Sequence, residues 1–388
     1  MHTETSLLVI GAGPFGLALA ACASRAGVRC AVAGRPMSFW TDHMPRGMFL
    51  RSGPDWHLDT AGVHTIDAFL AERGITAADA TPLPRDLYVE YVEWFRRGNG
   101  IEPIPVSVAR LDRVSSGAAR FLATCENGDT IAAASVALAV GFHYFRHSPP
   151  VLTAMIPPAR LAHTCDCVDA SAMRGRRCLI VGGRQSAFEW AALLLEAGAA
   201  AVHMTYRHDT PRFAESDWSW VPAVVERFAA DPGWHRRIST VERDGYNRRL
   251  WEEGRLKLEP WLVPRLASPA LTTWPGTEIA RAVDRPDGLD VTLTSGATLA
   301  VDQVVLATGY KVDMSRIPFL ASGNLAGEVA TRHGSPLLDD RLQTSVPGLF
   351  ATSFAATQEF GSFFGFTVSA RTAALLVAGA VAGRALTR

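Results

Sequence analysis

Short apolar segments alternate along this chain with longer segments of helical periodicity. Ser6–Ile10 is dominated by apolar residues and is followed by the Ala-rich, helix-like segment Pro14–Arg25. The same order returns at Arg177–Val181 and Ser186–Ala197, and Val304–Tyr310 is a further apolar segment. Strands that are apolar at nearly every position are typical of parallel sheets covered by helices on both faces. The pattern therefore predicts an α/β protein built on doubly wound sheets.

Each of the first two strand–helix pairs is joined by a glycine-rich turn. Gly11, Gly13 and Gly16 complete a G-x-G-x-x-G motif. In this motif the first glycine allows the tight turn, the second lets the backbone approach a pyrophosphate, and the third lets the helix pack close to the strand. The second turn begins at Gly182 but has Arg184 in place of its second glycine. Two such turns in one chain predict two dinucleotides, a flavin and a nicotinamide.

Arginines stand at three places where a nucleotide is expected to approach. Arg184 can turn outward and clamp a phosphate, or it can block the site. The strand Val28–Ala33 ends in Gly34-Arg35, where an acid that binds the ribose is expected. Arg207 follows the second strand of the second unit, where an arginine can pair with a 2′-phosphate. Arg207 therefore favours NADPH over NADH.

The order of the elements predicts two Rossmann-like domains, the second inserted in the first. We expect the FAD-binding domain to comprise residues 1–150 plus 301–388, and the NAD(P)H-binding domain to comprise residues 151–300. Residues 208–266, approximately, predict a helical insert that holds five of the ten tryptophans. The insert is either an aromatic core that stabilises itself or a roof over an active site.

Composition excludes several classes of function. The formal net charge is zero, which gives no support to binding of nucleic acid or of an acidic membrane. The first residues lack the pattern of a signal peptide, and the apolar segment Thr372–Ala382 is too short to span a bilayer, so we expect a cytoplasmic protein. The six cysteines form no C-x-x-C, which argues against a dithiol-based disulfide reductase. Cys165-Asp166-Cys167 has no second pair, so no metal site is predicted.

Several motifs resemble those of the two-dinucleotide-binding-domain (class B) flavoprotein monooxygenases. The resemblance is strongest to the ornithine/lysine N-hydroxylases and the flavin-containing monooxygenases. Asp302–Tyr310 matches the D-x-x-x-L-A-T-G-Y element of the N-hydroxylases residue for residue. Gln185-Ser186-Ala187 with Glu189 resembles their nicotinamide motif. Pro45–Leu50 is similar to a stretch near their flavin, and Phe354–Phe366 is similar to their closing, flavin-contacting segment.

The glycine turns and the resemblance together imply three sets of site residues. The residues expected to contact FAD are Gly11, Gly13, Pro14, Phe15, Gly16, Trp40, Met48, Gln358, Phe360 and Phe364. The residues expected on the NADPH side are Gly182, Arg184, Gln185, Ser186, Arg207, Thr308 and Gly309. The polar and aromatic residues expected to bind substrate are Glu215, Asp217 and Trp218.

The resemblance implies a reaction carried by the flavin. A flavin reduced by NADPH reacts with molecular oxygen to give a C4a-(hydro)peroxyflavin, which transfers one oxygen atom to a small polar substrate, at or near nitrogen. No catalytic side chain is selected, because the protein supplies placement and electrostatics while the cofactor supplies the chemistry. The expected partners are a small-molecule substrate and oxygen, and a homo-oligomeric state stays open.

Three other functions stay open from the sequence. The first is flavin-dependent hydroxylation of a nitrogen heterocycle such as urate. The second is a flavoprotein oxidase or dehydrogenase that has lost its reduction by NADPH, which the side chain of Arg184 motivates. The third is a flavin-bound scaffold without enzymatic activity.

Overall fold

The computed structural model describes residues 2–53, 55–116, 118–166 and 168–386. Strands and helices alternate through most of the chain, which confirms the predicted α/β class. The strands are β1 (His2–Ile10), β2 (Cys30–Ala33), β3 (Phe49–Leu50), β4 (Leu83–Pro84), β5 (Val108–Ser116), β6 (Ala119–Cys125), β7 (Thr130–Leu138), β8 (Leu161–His163), β9 (Arg177–Val181), β10 (Ala201–Tyr206), β11 (Arg212–Phe213), β12 (Lys257–Leu258), β13 (Leu271–Pro275), β14 (Ile279–Arg285), β15 (Gly288–Leu293), β16 (Thr298–Val301), β17 (Gln303–Leu306), β18 (Thr331–Arg332), β19 (Ser335–Pro336) and β20 (Leu349–Ala351). The helices are α1 (Pro14–Arg25), α2 (Ser38–Asp42), α3 (Ile66–Glu72), α4 (Arg85–Gly98), α5 (Pro150–Met155), α6 (Gln185–Glu196), α7 (Val221–Ala230), α8 (Trp234–Arg237), α9 (Thr240–Arg255), α10 (Leu262–Leu266), α11 (Pro318–Ala321), α12 (Thr357–Phe360) and α13 (Ala370–Ala382).

The first sheet places the first glycine turn at the carboxyl ends of its parallel strands. Its order is β2-β1-β7-β6-β5, and β20 also pairs with β7. β1 is parallel to both neighbours, with Leu8 opposite Ala31 on one side and Val136 on the other. The early part of β7 pairs antiparallel with β6, whereas its end pairs parallel with β20. The chain therefore returns to this sheet near its C-terminus, as the sequence predicted.

The second sheet is parallel throughout, in the order β13-β10-β9-β17-β8. β17 lies between β9 and β8, with Leu306 opposite Val181 on one side and His163 on the other. Every residue of β17 is buried, which suits an interior strand of a covered sheet. The predicted boundary at residue 301 is therefore wrong for this strand, because the second sheet extends through Leu306.

The insert reaches from the second sheet back to the first unit. Val221 and Val225 of α7 form a small apolar core with three residues of the first unit, namely Trp56, Phe363 and Val368. Trp234 at the start of α8 is 2 % exposed and packs against Phe228 of α7. Phe228 and Trp234 belong to the hydrophobic core of the first unit, so the insert bridges the two units.

The end of the chain packs on the first glycine helix. α13 lies against α1, and both helices are rich in buried alanines. Small side chains allow the two backbones to approach closely, which fixes the start of α1 relative to β1. Across the residues described, we find no helix with both the length and the apolar character needed to cross a membrane.

Candidate active site

Both glycine turns open into a single cavity of about 960 Å³. Such a volume is at the upper end of those known for small-molecule and cofactor sites. The first unit contributes the turn after β1 and the segment that follows β20, and the second unit contributes the start of α6. The insert covers the cavity with Trp218, Asn247, Leu250, Trp251, Gly254 and Arg255. We call this wall of the cavity the roof; that the insert roofs an active site is one of the two alternatives from the sequence and stays a prediction.

The first turn has the shape of a phosphate cradle. Gly11 has φ +115°, and a β-carbon there would clash with the carbonyl group of Ala139. A β-carbon on Gly16 would clash with the carbonyl group of Gly11. By contrast, a β-carbon on Gly13 would meet no protein atom within 4 Å, and Gly13 lines the cavity. The turn is thus tight where it packs and open where a pyrophosphate would lie.

The second turn is equally tight where it packs against the protein. The Arg184 side chain, however, fills the space that is open in the first turn. Gly182 has φ +144°, and a β-carbon there would clash with the carbonyl group of Ala307. The Arg184 side chain leaves the start of α6, and its guanidinium carbon lies 5.1 Å from the centre of the Trp251 ring. The guanidinium also donates a hydrogen bond to the main-chain oxygen of Arg255. Burial, together with the nearby Arg255 cation, lowers the pKa of Arg184.

The predicted FAD residues divide into two groups. Gly11, Gly13, Pro14, Phe15, Trp40 and Met48 line the cavity, and Gly16 packs behind it. The Phe360 and Phe364 side chains are instead buried against Phe228 of the insert. Gln358 also lies outside the cavity lining. The cavity-facing aromatic residues of this segment are Phe354, Phe363 and Phe366.

The predicted NADPH residues are only partly brought together. Arg184, Gln185 and Ser186 line the cavity. Arg207 is outside it, with a side chain that is 81 % exposed and 3.8 Å from Glu278. Gly182 packs behind the turn, as described above.

Thr308 and Gly309 lie where the chain passes between the two units, and neither residue lines the cavity. The Thr308 hydroxyl donates to the main-chain oxygen of His147, and the N–H of His147 donates to the oxygen of Gly309. The Thr308 hydroxyl and the Gly309 carbonyl are thus used within the protein, and the predicted NADPH-side role of this pair stays a prediction.

Of the predicted substrate residues, Trp218 alone faces the cavity. Its indole Nε1 is buried and finds no acceptor among the described residues. Asp217 accepts hydrogen bonds from Ser219 and pairs with Arg249 at 2.9 Å. Glu215 also lies outside the lining, so the structure does not bring these two carboxylates to the cavity wall, and their substrate role stays a prediction.

Two titratable residues on the cavity wall, Glu189 and Arg51, were not among the predicted site residues, although Glu189 belongs to the motif that resembles a nicotinamide motif. Glu189 is 4 % exposed and accepts a hydrogen bond from the Phe49 N–H at 3.3 Å. Burial raises the pKa of Glu189 to about 8, so this carboxyl keeps its proton at neutral pH. Its signal in the sequence is a position one helical turn after Gln185, on the buried face of α6.

Arg51 is the second residue that was not predicted, and it binds the end of helix α9 in the insert. Its guanidinium donates to the main-chain oxygens of Glu253 and Gly254 at the end of α9. It also pairs with Glu259 at 2.7 Å. Because the last carbonyl groups of a helix have no partner within the helix, Arg51 caps α9 as well as pairing with an acid.

In the part of the chain that the structure describes, no group of three or more His, Cys, Asp or Glu side chains is arranged to hold a metal ion. Cys165 is buried and unpaired, and its Sγ lies 3.1 Å from Nδ1 of His163. Burial raises the pKa of the Cys165 thiol to about 11, which makes it a poor nucleophile. Cys167 lies outside the described residues.

One curated relative matches part of the chain. The chain is 29 % identical over 169 residues to an FAD-dependent urate hydroxylase of Xanthomonas campestris pv. campestris, in an alignment that covers 42 % of this chain and 35 % of that relative. The chain thus spans about a third of that relative's length.

Two solved structures share the fold across nearly the whole chain. An ornithine N-hydroxylase from Kutzneria sp. 744 matches with a TM-score of 0.79 and 18 % identity, covering 97 % of this chain and 99 % of that one. An ornithine hydroxylase from Pseudomonas aeruginosa matches with a TM-score of 0.77 and 17 % identity, covering 98 % and 99 %. The predicted two-unit fold is confirmed by these matches. The model of the pyridine nucleotide-disulphide oxidoreductase family matches residues 8–244, and the chain belongs to that family.

Proposed function

We propose that the chain is an FAD- and NADPH-dependent monooxygenase that transfers one oxygen atom to a small polar substrate, at or near nitrogen. The observation that carries the proposal is that both glycine turns line one cavity. In such a reaction NADPH and a proton are consumed with oxygen, one oxygen atom enters the substrate and the other leaves as water. A site for this reaction must bring a flavin and a nicotinamide together, and a cavity shared by both turns supports such an arrangement.

The residues of the first turn fit FAD. The open face of Gly13 and the start of α1 offer main-chain N–H groups to a pyrophosphate. Trp40 and Met48 line the same cavity further along and would lie beside the rest of the cofactor. The bound flavin supplies the oxygen-activating chemistry, and the chain supplies binding and orientation.

The roof supports the exclusion of water from this cavity. Trp218, Leu250 and Trp251 of the insert cover it, and Phe363 faces it from the first unit. Arg51 holds the end of the roof helix to the first unit through main-chain hydrogen bonds. A dry site protects a reactive oxygenating species from hydrolysis and strengthens the electrostatic interactions within it.

The second turn supports nicotinamide binding through Gln185 and Ser186 at the start of α6. The exposed position of Arg207 leaves it available to a 2′-phosphate. The family also includes disulphide oxidoreductases, but the sequence has no C-x-x-C to carry dithiol chemistry. The monooxygenase branch is therefore the better fit.

Hydroxylation of a nitrogen heterocycle is the second candidate. The cavity has an aromatic lining, and the indole N–H of Trp218 finds no acceptor among the residues that the structure describes. Such a site suits a planar substrate that carries a hydrogen-bond acceptor. The similarity to a urate hydroxylase points the same way. A flavoprotein oxidase or dehydrogenase without NADPH reduction is a third candidate, favoured only if Arg184 closes the second turn.

One experiment separates these functions. The purified, FAD-loaded protein is mixed with NADPH under air, and NADPH consumption is followed with a panel of amines and heterocycles, urate included. Acceleration by an amine with formation of a hydroxylamine supports the leading proposal, and acceleration by urate supports the second. Reduction of the flavin by an organic substrate but not by NADPH would identify an oxidase or dehydrogenase and overturn the proposal.

A further inference from the structure

Two arginines meet where the second glycine turn touches the roof. Arg184 is the N-cap residue of α6, and Arg255 is the last residue of α9. The Arg184 guanidinium donates to the main-chain oxygen of Arg255, and both residues line the 960 Å³ cavity. The start of one helix and the end of the other are thus joined at the cavity wall.

Neither of these guanidinium groups has a carboxylate partner among the residues that the structure describes. The contrast is with Arg51 nearby, whose charge is compensated by Glu259 at 2.7 Å. Arg184 is half-buried and Arg255 is exposed at the cavity wall. The surrounding protein and the neighbouring cation, Arg255 for Arg184 and Arg51 for Arg255, lower the pKa of both guanidinium groups. Positive charges gathered at a cavity wall without a counter-charge attract an anion.

The start of α6 adds donors to the same place. The main-chain N–H groups in the first turn of a helix have no partner within the helix, and those of Gln185 and Ser186 stand beside Arg184. The Ser186 side chain is exposed and lines the cavity. Two guanidinium groups, a hydroxyl and a helix N-terminus match a group with several anionic oxygens better than they match a single carboxylate.

The space around Arg184 indicates an elongated ligand. A second cavity of about 500 Å³ also has Arg184 in its wall and extends past His208 and Arg212. A ligand whose anionic group lies at Arg184 can therefore extend in both directions. A dinucleotide, with phosphates at its centre, has this shape.

We propose that Arg184 and Arg255 together bind the phosphates of the nicotinamide dinucleotide at the start of α6. The inference rests on the proposed function and deepens it, because it assigns a binding role to a residue of the roof. The anion ties the end of α9 to the second turn, so binding of the nicotinamide cofactor stabilises the covered state of the cavity. The bound phosphate also pairs with Arg184, the residue that replaces the second glycine of the motif.

The test is a titration of the oxidised, FAD-loaded protein with NADP⁺, followed by the flavin absorbance. Arg255→Gln removes one charge from the site, and Arg248→Gln removes one exposed charge from the same helix outside the cavity. We expect Arg255→Gln to raise the Kd for NADP⁺ about tenfold or more and Arg248→Gln to change it little. Equal FAD content and thermal midpoints in the three proteins exclude misfolding. Equal NADP⁺ affinity in all three proteins would overturn the proposal.

A parallel titration with urate distinguishes a cofactor phosphate from an anionic substrate. We expect the affinity for urate to be unchanged by Arg255→Gln; a loss confined to urate would assign the arginines to substrate and overturn the phosphate assignment. If NADPH reduces the flavin normally while Arg255→Gln has no effect on NADP⁺ binding, the inference fails and the proposed function stands. If the parent neither binds NADP⁺ nor is reduced by NADPH, the proposed function fails. A titration with inorganic pyrophosphate then tests whether the two arginines bind an anion. Binding that is weakened by Arg255→Gln upholds an anion site, and the absence of binding overturns it.

Discussion

Gly13 and Arg184 occupy equivalent positions in the two glycine turns and share one backbone conformation. Each is the N-cap residue of the helix that follows the first strand of its sheet, with φ −88° and ψ −172° at Gly13 and φ −109° and ψ 178° at Arg184. These angles lie in the extended region, which any residue can adopt. The difference between the turns is therefore one of side chain, because Gly13 leaves its space open and Arg184 packs on Trp251.

Gly13→Val should abolish FAD binding without preventing folding. The backbone angles of Gly13 suit valine, and a β-carbon there meets no protein atom within 4 Å. The new side chain would occupy the space of the pyrophosphate. The measurement is the ratio of flavin to protein after purification, with circular dichroism as the test of folding.

Gly245→Val is the matched control, because Gly245 of α9 also has open space around it and lies outside the cavity. The control protein should keep its flavin. Stoichiometric flavin in folded Gly13→Val protein would show that FAD does not bind at this turn.

The sequence predicted those elements of the fold whose signal lies within a few neighbouring residues. The strand Ser6–Ile10 and the complete glycine turn were identified because apolar runs and tight-turn glycines are signals within a few residues. The tryptophan-rich insert was predicted with two roles left open. In the structure some of its aromatic residues join the core of the first unit, and others line the cavity. The position of β17 between β9 and β8 of the second sheet was missed, since pairing between strands far apart in sequence leaves no local signal.

The side chains that face the cavity were predicted less well. In Phe354–Phe366 the chain forms successive short 3₁₀ turns and the four-residue helix α12, so no single period tells which aromatic ring faces inward. Phe360 and Phe364 were selected, whereas Phe354, Phe363 and Phe366 line the cavity. Asp217 was selected for its charge, but that charge is used by Arg249, a partner that the sequence could not show.

Arg207→Ala should weaken the binding of NADPH and leave that of NADH unchanged. The exposed pair of Arg207 with Glu278 contributes little to stability, so its loss should not disturb the fold. A charge-assisted contact with a phosphate is worth about 1.5–3 kcal/mol, which corresponds to a rise in KM for NADPH of about tenfold or more. Steady-state kinetics with both cofactors measures this difference.

The control for Arg207 is Glu278→Ala, which removes its neighbouring carboxylate and should keep or improve the affinity for NADPH. An equal loss of NADPH and NADH activity in Arg207→Ala would mean that the residue is structural and that the cofactor preference has another origin.

Arg184→Gly should slow the reduction of the flavin at limiting NADPH. The substitution restores the usual glycine but removes a cation from the start of α6 and the hydrogen bond to the roof at Arg255. Anaerobic stopped-flow mixing of both proteins with NADPH measures the rate of reduction. If Arg184 instead occludes the turn, the parent flavin stays oxidised and the glycine variant becomes reducible, which would support the oxidase or dehydrogenase reading.

Glu189 should make the stability of the protein fall as the pH rises. Burial raises the pKa of this carboxyl from 4.5 to about 8, so between these values the folded protein keeps a proton that the unfolded chain has released. The folded state is then penalised by up to about 1.4 kcal/mol for each pH unit, and the penalty levels off above the folded pKa. Glu189→Gln keeps the neutral shape and the acceptor for the Phe49 N–H but removes the titration. The variant should therefore gain stability relative to the parent between about pH 5.5 and about pH 8.5, as measured by urea unfolding of the FAD-loaded proteins. Glu90→Gln, on an exposed face of α4, should show no such gain. A constant difference between Glu189→Gln and the parent across this range would mean that Glu189 is ionised in the folded protein.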